Sequence, residues 1–306
     1  MKYYLAPLEG ITTYVYRRAY HTFFHPMDQY FTPFFVPHTK RGFNEREQSE
    51  ILPEHNPGMC LVPQIMSNDA EGFLQTEEKL REYGYEEVNL NLGCPSKTVV
   101  RKNRGSGFLA LPEELDRFLD QIYSRSKGKI SIKTRLGKYE PEEFERILEI
   151  YNQYPVEELI IHPRVQQDYY KNHPDLNAFR KALEHTKIPV CYNGDIFTPE
   201  DQETLTRQFP RLDRIMLGRG ILRDPGLLGN LCGEGKAPGK VVRGFLEKIL
   251  WDYQEICPEE KHVLFKMKEL WAYMGTMFPE RKEALERLRK AETIKSYQMA
   301  VKEILG

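Results

Sequence analysis

Short β-type runs recur along this chain with helix-patterned segments between them, and that rhythm limits the fold more than any other feature. The runs fall at residues 3–6, 29–34, 60–64, 87–91, 130–134, 159–161, 190–192 and 214–217. Most start about 25–30 residues apart, the length of one strand–loop–helix unit. The segments between them carry helical signals. The stretch opening at Pro112 places Leu115, Phe118, Leu119 and Ile122 on one face. Glu140-Pro141 and Thr198-Pro199-Glu200-Asp201 put proline and acids where helices begin. Eight such units predict an α/β chain folded as a (β/α)8 TIM barrel. An open doubly wound sheet is the other arrangement, but no early GxGxxG fingerprint supports it. The rhythm stops near residue 230, at a turn-rich stretch, 233–239. From Val241 onward the apolar spacing is helical, through Phe245, Ile249, Val263, Met267, Leu285 and Leu288. The chain therefore divides into a barrel over residues 1–235 and a small helical bundle over 240–306, which needs the barrel to cover one face.

Charge narrows the function classes. There are 44 basic and 45 acidic residues, a formal net charge of −1, which argues against holding nucleic acid by bulk electrostatics. Local basic patches remain open. The five cysteines include no CxxC pair, so neither a disulfide framework nor a cysteine zinc site is expected. His21 and His25 stand four apart without an HExxH arrangement, and no metal site is expected. A GxSxG elbow is also missing. The start of the chain does not read as a signal peptide, and no stretch approaches the roughly 20 apolar residues of a membrane span. The expectation is a cytoplasmic protein with reduced thiols.

In a barrel of this kind the chemistry lies at the C-terminal ends of the strands. The unusual residues fall there: Ala6-Pro7-Leu8-Glu9-Gly10, then Gln64, then Asn89-Leu-Asn91-Leu-Gly93-Cys94-Pro95. Lys133 and Arg135 follow, then His162-Pro-Arg164, Asn193-Gly194-Asp195 and Gly218-Arg219-Gly220. Each has a plain alternative. A single cysteine is as readily a small buried hydrophobe as a catalyst. Asn193-Gly194-Asp195 could be only a turn. A lysine inside Ile-Ser-Ile-Lys-Thr-Arg is costly to bury without a partner, so Lys133 points to function. A glycine-flanked arginine after the last strand suits a phosphate.

Together these blocks resemble the dihydrouridine synthases, flavoenzymes that reduce uridine in RNA. The resemblance covers about residues 3–225. It rests on Ala-Pro-Leu-Glu-Gly-Ile-Thr, on Asn89 to Ser96 with Val99 and Gly105-Ser-Gly-Phe-Leu, and on the four later blocks in order. It implies FMN as cofactor, NADPH as reductant, and RNA, with tRNA the expected partner. Gln64, Lys133 and His162 would contact the flavin ring. A cation at Lys133 suits the negative charge that reduced flavin carries near N1 and O2. Asn193, Asp195, Gly218 and Arg219 would hold the ribityl chain and phosphate. Ala6, Pro7 and Leu8 would line the flavin edge, Asn91 would hydrogen-bond the uracil, and Arg164 would lie near the substrate.

The implied reaction moves a hydride from flavin N5 to uracil C6, while Cys94 gives a proton to C5. A thiol with an ordinary pKa is mostly protonated at neutral pH and suits a general acid. The base must leave its stack to reach the pocket. Lys97, Arg101, Lys102 and Arg104 could meet phosphates, and Tyr169 or Tyr170 could stack on a base. A second basic set, Arg281, Lys282, Arg287, Arg289 and Lys290, has Glu280, Glu283 and Glu286 interleaved and reads equally well as a solvated face. The segment from Val165 to Tyr170 departs from the family's usual Thr-Arg-Glu-Gln, which bears on substrate detail. A flavin barrel acting on a free pyrimidine, ribosomal RNA as substrate, a Schiff-base aldolase at Lys133 and a non-catalytic RNA binder are the other readings. No stable protein partner is expected.

Overall fold

The computed structural model describes residues 1–38 and 42–306. Its strands are β1 (Lys2–Leu5), β2 (Gln29–Phe31), β3 (Leu61–Val62), β4 (Gln64–Ile65), β5 (Glu87–Leu92), β6 (Lys129–Gly137), β7 (Leu159–Val165), β8 (Val190–Tyr192) and β9 (Arg214–Leu217). The ladder runs β3-β2-β1-β9-β8-β7-β6-β5-β4, with every pairing parallel. β3 and β4 are halves of one segment parted by Pro63, which has no N–H to give a ladder. β2 pairs with the first half and β5 with the second, so the sheet closes through residues 61–65. Nine strands thus fill eight barrel positions, and the architecture is TIM-barrel-like.

The helices between strands are α1 (Tyr14–Phe23), α2 (Glu45–Ile51), α3 (Ala70–Glu82), α4 (Lys97–Val100), α5 (Pro112–Arg125), α6 (Glu143–Tyr151), α7 (Leu176–His185) and α8 (Pro199–Gln208). After β9 come α9 (Arg219–Arg223) and α10 (Leu227–Leu231). Four further helices close the chain: α11 (Gly239–Ile256), α12 (Glu260–Met274), α13 (Lys282–Lys290) and α14 (Ile294–Leu305). Proline opens α5 and α8, as the sequence predicts. Among the described residues no helix is long and apolar enough to cross a membrane.

Strand alternation explains how polar residues come to face inward. In β5, Val88, Leu90 and Leu92 pack into the layer between strands and helices. The intervening Asn89 and Asn91 point into the barrel, where they bond Gln64 and Ser131. β6 does the same, with Ile130 and Ile132 outward and Ser131, Lys133 and Arg135 on the inner side. The other half of the interior is apolar: Tyr4, Ala6, Phe31, Val62, Ile160, Cys191 and Met216 form their own cluster. Sliding either strand by one residue would exchange these faces, so register and chemistry are fixed together.

β6 and β7 extend beyond the expected 130–134 and 159–161. Arg135, His162 and Arg164 are therefore strand residues, with Arg135 paired beside His162.

The C-terminal helices seat against the first barrel unit. Phe245 of α11 is fully buried, edge-on to Tyr16 at 5.5 Å and to Phe24 at 5.1 Å. A Cβ on Gly244 would lie 2.6 Å from the Phe23 ring, so glycine lets α11 approach α1 closely. Lys266 of α12 donates to the Gly10 carbonyl at 2.8 Å, which ties α12 to the loop after β1. Trp271 donates to the Tyr297 hydroxyl at 3.0 Å and joins α12 to α14.

Candidate active site

The strand ends converge on one cleft of roughly 880 Å³ including its open mouth, within the size range of small-molecule and cofactor sites. Of the residues singled out in the sequence, Ala6, Pro7, Leu8, Asn91, Cys94, Lys133, His162, Asn193, Asp195, Gly218 and Arg219 line it. Gln64 and Arg164 do not; each lies buried behind a lining residue. Lys97 opens α4 and Arg101 follows its last residue, both exposed and outside the cleft wall.

The Cys94 turn is held from both sides. Asn91 Oδ1 accepts the Gly93 and Cys94 amides at 3.1 and 3.0 Å. The Cys94 carbonyl accepts from the Ser106 amide at 3.1 Å and its hydroxyl at 2.8 Å. Gly105 has φ +54°, and a Cβ there would lie 2.8 Å from the Cys94 oxygen. Only glycine lets the chain double back so closely. Burial pushes the Cys94 thiol up, against the lowering effects of the Ser96 amide, Arg135 and Lys133.

Lys133 stands beside Asn91 on β5 and Ile160 on β7. Burial, then the neighbouring Arg135 charge, lowers its pKa to about 8. Among the described residues it makes no hydrogen bond or ion pair. An ammonium so placed is a seat for an anion.

His162 is set by Arg164. The guanidinium lies 2.8 Å from Nε2 and can only donate, so Nε2 accepts and the ring proton resides on Nδ1. Burial, with Arg135, Lys133, Arg164 and Arg219 nearby, holds the ring well below the usual histidine pKa. It is therefore a neutral donor on the cleft wall.

Asp195 joins Arg164 to Arg219, accepting from both guanidiniums. Arg164 also donates to the Asn172 carbonyl at 2.6 Å. Its place is thus to orient His162 and Asp195. Asn193 donates to the Met216 carbonyl at 2.9 Å, which locks the β8 end onto β9.

Arg135 and Glu9 also line the cleft and had no assigned role in the sequence. Arg135 donates to the carbonyls of Gly93, Val165 and Tyr169, drawing the connections after β5 and β7 together. Its signal was the shared parity with Ser131 and Lys133. Glu9 is pushed up by burial, against Arg46 at 3.5 Å. Tyr170, read as a stacking residue, lies over Arg219 at 4.4 Å and over Arg135 at 5.4 Å. Tyr169 before it has φ +49°.

The histidine pair of α1 and the following loop parts company. His21 Nδ1 meets the Tyr30 hydroxyl at 2.9 Å, and His25 meets Glu234 at 2.7 Å.

The cleft lies at the strand ends of a parallel barrel, where α/β-barrel proteins bind their ligands. In fold the molecule is similar to histamine dehydrogenase from Rhizobium sp. 4-9, with TM-score 0.59 and 10% identity over 81% of this chain. The chain spans about half that protein's length, 49%. A morphinone reductase solved with tetrahydroNAD is similar at TM-score 0.55 and 10% identity, covering 80% of this chain and 90% of that one. Residues 4–304 match the family model described as "Dihydrouridine synthase (Dus)", and the chain belongs to that family. It is 26% identical over 225 residues to "tRNA-dihydrouridine synthase B" of Pasteurella multocida (strain Pm70), covering 73% of this chain and 67% of that one. It is 29% identical over 238 residues to "Probable tRNA-dihydrouridine synthase" of Staphylococcus aureus (strain COL), covering 72% and 68%.

Proposed function

We propose that this chain reduces uridine to 5,6-dihydrouridine in tRNA, with FMN as cofactor and NADPH as reductant. The carrying observation is the placement of a half-buried Cys94 thiol, its pKa pushed up, on the same cleft wall as Lys133 and His162. Residues 1–235 are read as the catalytic barrel and 240–306 as the RNA-binding unit.

The donor set fits FMN. Lys133 and His162 offer hydrogen-bond donors to the flavin's electron-rich edge, and Arg219 offers a cation to the phosphate. Asp195 and Arg164 hold Arg219 and His162 in place. Bound FMN supplies hydride chemistry at uracil C6, with electrons from NADPH. Cys94 adds the proton at C5, which completes addition across the C5=C6 bond, and the resulting thiolate regains its proton from water. Burial keeps that proton on sulfur until it is needed. Asn91 has spent its oxygen on the Cys94 turn, so its second N–H is what it offers a uracil carbonyl.

The test is a dihydrouridine map of total RNA from cells with and without the gene. Loss of signal at defined tRNA positions is expected. A map with no position changed sinks the RNA assignment.

Lys133 makes FMN binding pH-dependent. Its free-state pKa is about 8, and an anion raises it, so affinity should be flat below that value and fall as pH rises through it. The window above about pH 7 avoids the phosphate's own second ionisation. FMN fluorescence titration of the apoprotein reads this directly. Lys133→Met should bind more weakly and lose the pH dependence. A flat wild-type profile up to pH 9.5 removes Lys133 from the FMN site.

A further inference from the structure

Five side chains inside the barrel form one hydrogen-bonded file. Asn91 Nδ2 donates to Gln64 Oε1 at 2.7 Å, and Gln64 Nε2 donates to Asn89 Oδ1 at 2.8 Å. Asn89 Nδ2 donates to Ser131 Oγ at 3.0 Å, and Ser131 donates to Glu87 Oε1 at 2.8 Å. At the head of the file Asn91 Oδ1 takes the Gly93 and Cys94 amides. It runs from the Cys94 turn to Glu87, the first residue of β5, and Gln64 and Asn89 within it are fully buried.

Both ends set its direction. Backbone amides only donate, so Asn91 must turn its oxygen to them and its nitrogen to Gln64. The same logic passes to Gln64 and Asn89. At the other end Ser131 donates to the Glu87 carboxylate, a bond that opposes the burial pushing that carboxyl's pKa up, and so leaves a lone pair for Asn89. Bonds aligned in one sense also polarise one another.

We propose that Ser131 and Glu87 are positioning residues for uridine reduction, fixing the amide orientation of Asn89, Gln64 and Asn91 and, through Asn91, the seat of the Cys94 turn. This rests on the function proposed above. Neither residue lines the cleft. Without the Ser131 hydroxyl, the Asn89 amide N–H is buried without that acceptor, and the file is oriented from the Cys94 end alone. A flipped Asn89 would turn its nitrogen to that of Gln64, and the misfit would pass to Asn91.

The test uses the FMN-loaded protein as wild type, Ser131→Ala and Glu87→Ala. Three quantities are measured: hydrogen–deuterium exchange at residues 91–96, the rate at which NADPH reduces the flavin, and the rate at which unmodified tRNA reoxidises it. In Ser131→Ala, exchange at Gly93 and Cys94 should rise about tenfold and the tRNA step slow about tenfold, the scale of one missing buried hydrogen bond. The NADPH step and exchange in β8 and β9 should stay at wild-type values. Wild-type exchange at Gly93 and Cys94 overturns the proposal, as does equal slowing of both flavin steps, which marks a general structural defect. If Ser131→Ala does not fold, Glu87→Ala at the outer end decides, with about threefold changes in the same two readouts. If the wild type itself reduces no tRNA, the functional reading fails separately. The exchange result then decides alone whether the file seats the Cys94 turn.

Discussion

Replacing Cys94 with alanine should lower uridine reduction by about 10²–10⁴-fold, the span typical of a missing general acid. FMN should remain bound and NADPH should still reduce it, because the thiol contributes to neither in this reading. The protein matrix argues for an acid over a nucleophile. A nucleophilic cysteine needs a depressed pKa, whereas burial drives this thiol up despite Arg135 and Lys133 nearby. A raised pKa keeps the acid form through neutral pH. Its titration should therefore curb the rate only on the alkaline side, as the proton is lost. Cys94→Ser keeps a donor in the same seat, since the turn is fixed by the backbone through Asn91 and Ser106. A hydroxyl is a weaker acid, so its rate should fall between wild type and alanine. Single-turnover mixing of the reduced protein with unmodified tRNA separates the steps. An alanine variant that reoxidises at the wild-type rate while forming dihydrouridine would remove Cys94 from the chemistry.

The barrel was legible from the spacing of its strand-type runs, and β5 and β6 also write their two faces in alternate letters. Glu87-Val-Asn-Leu-Asn-Leu states outright that asparagines face one way and aliphatics the other. The same parity marks Ser131, Lys133 and Arg135 as one inward row. Strand ends were harder. Pro163 inside β7 suggests a stop, yet the strand continues to Val165, and the Pro163 carbonyl is used by the Asp175 amide at 2.7 Å. Roles that depend on a partner from another unit left no local trace. Arg164 reads as a substrate contact until Asp195, arriving from the loop after β8, claims its guanidinium. Gln64 likewise sits at a strand end, but Asn91 and Asn89 take its amide. The C-terminal basic set shows both cases. Lys290 with Glu286 is an i,i+4 pair readable from spacing, whereas Arg287 meets Glu303 sixteen residues on.

Removing the charges of Lys97, Arg101 and Lys102 together should weaken tRNA binding by roughly 10²-fold at physiological salt. With a net charge of −1, RNA must be held by cations the protein has not neutralised itself. Elsewhere on the barrel surface many are neutralised: Arg125 with Glu71, Lys129 with Glu157, Arg146 with Glu149 and Lys181 with Glu145. Lys97, Arg101 and Lys102 differ. All three are exposed, and among the described residues none forms an ion pair. They occupy α4 and the turn after it, directly beyond the Cys94 turn. A phosphate bound there gains charge without breaking a pair. Each cation removed from a phosphate should flatten the logarithmic salt dependence by roughly 0.7–0.9, so the triple alanine variant should show a slope shallower by about 2–3 units. Lys129→Ala and Lys181→Ala on the outer barrel should change neither affinity nor slope, since exposed pairs there contribute about 0–1 kcal/mol to stability and face no substrate. Filter binding across a salt series distinguishes the cases. A triple variant with wild-type affinity and slope would place the RNA path elsewhere on the surface.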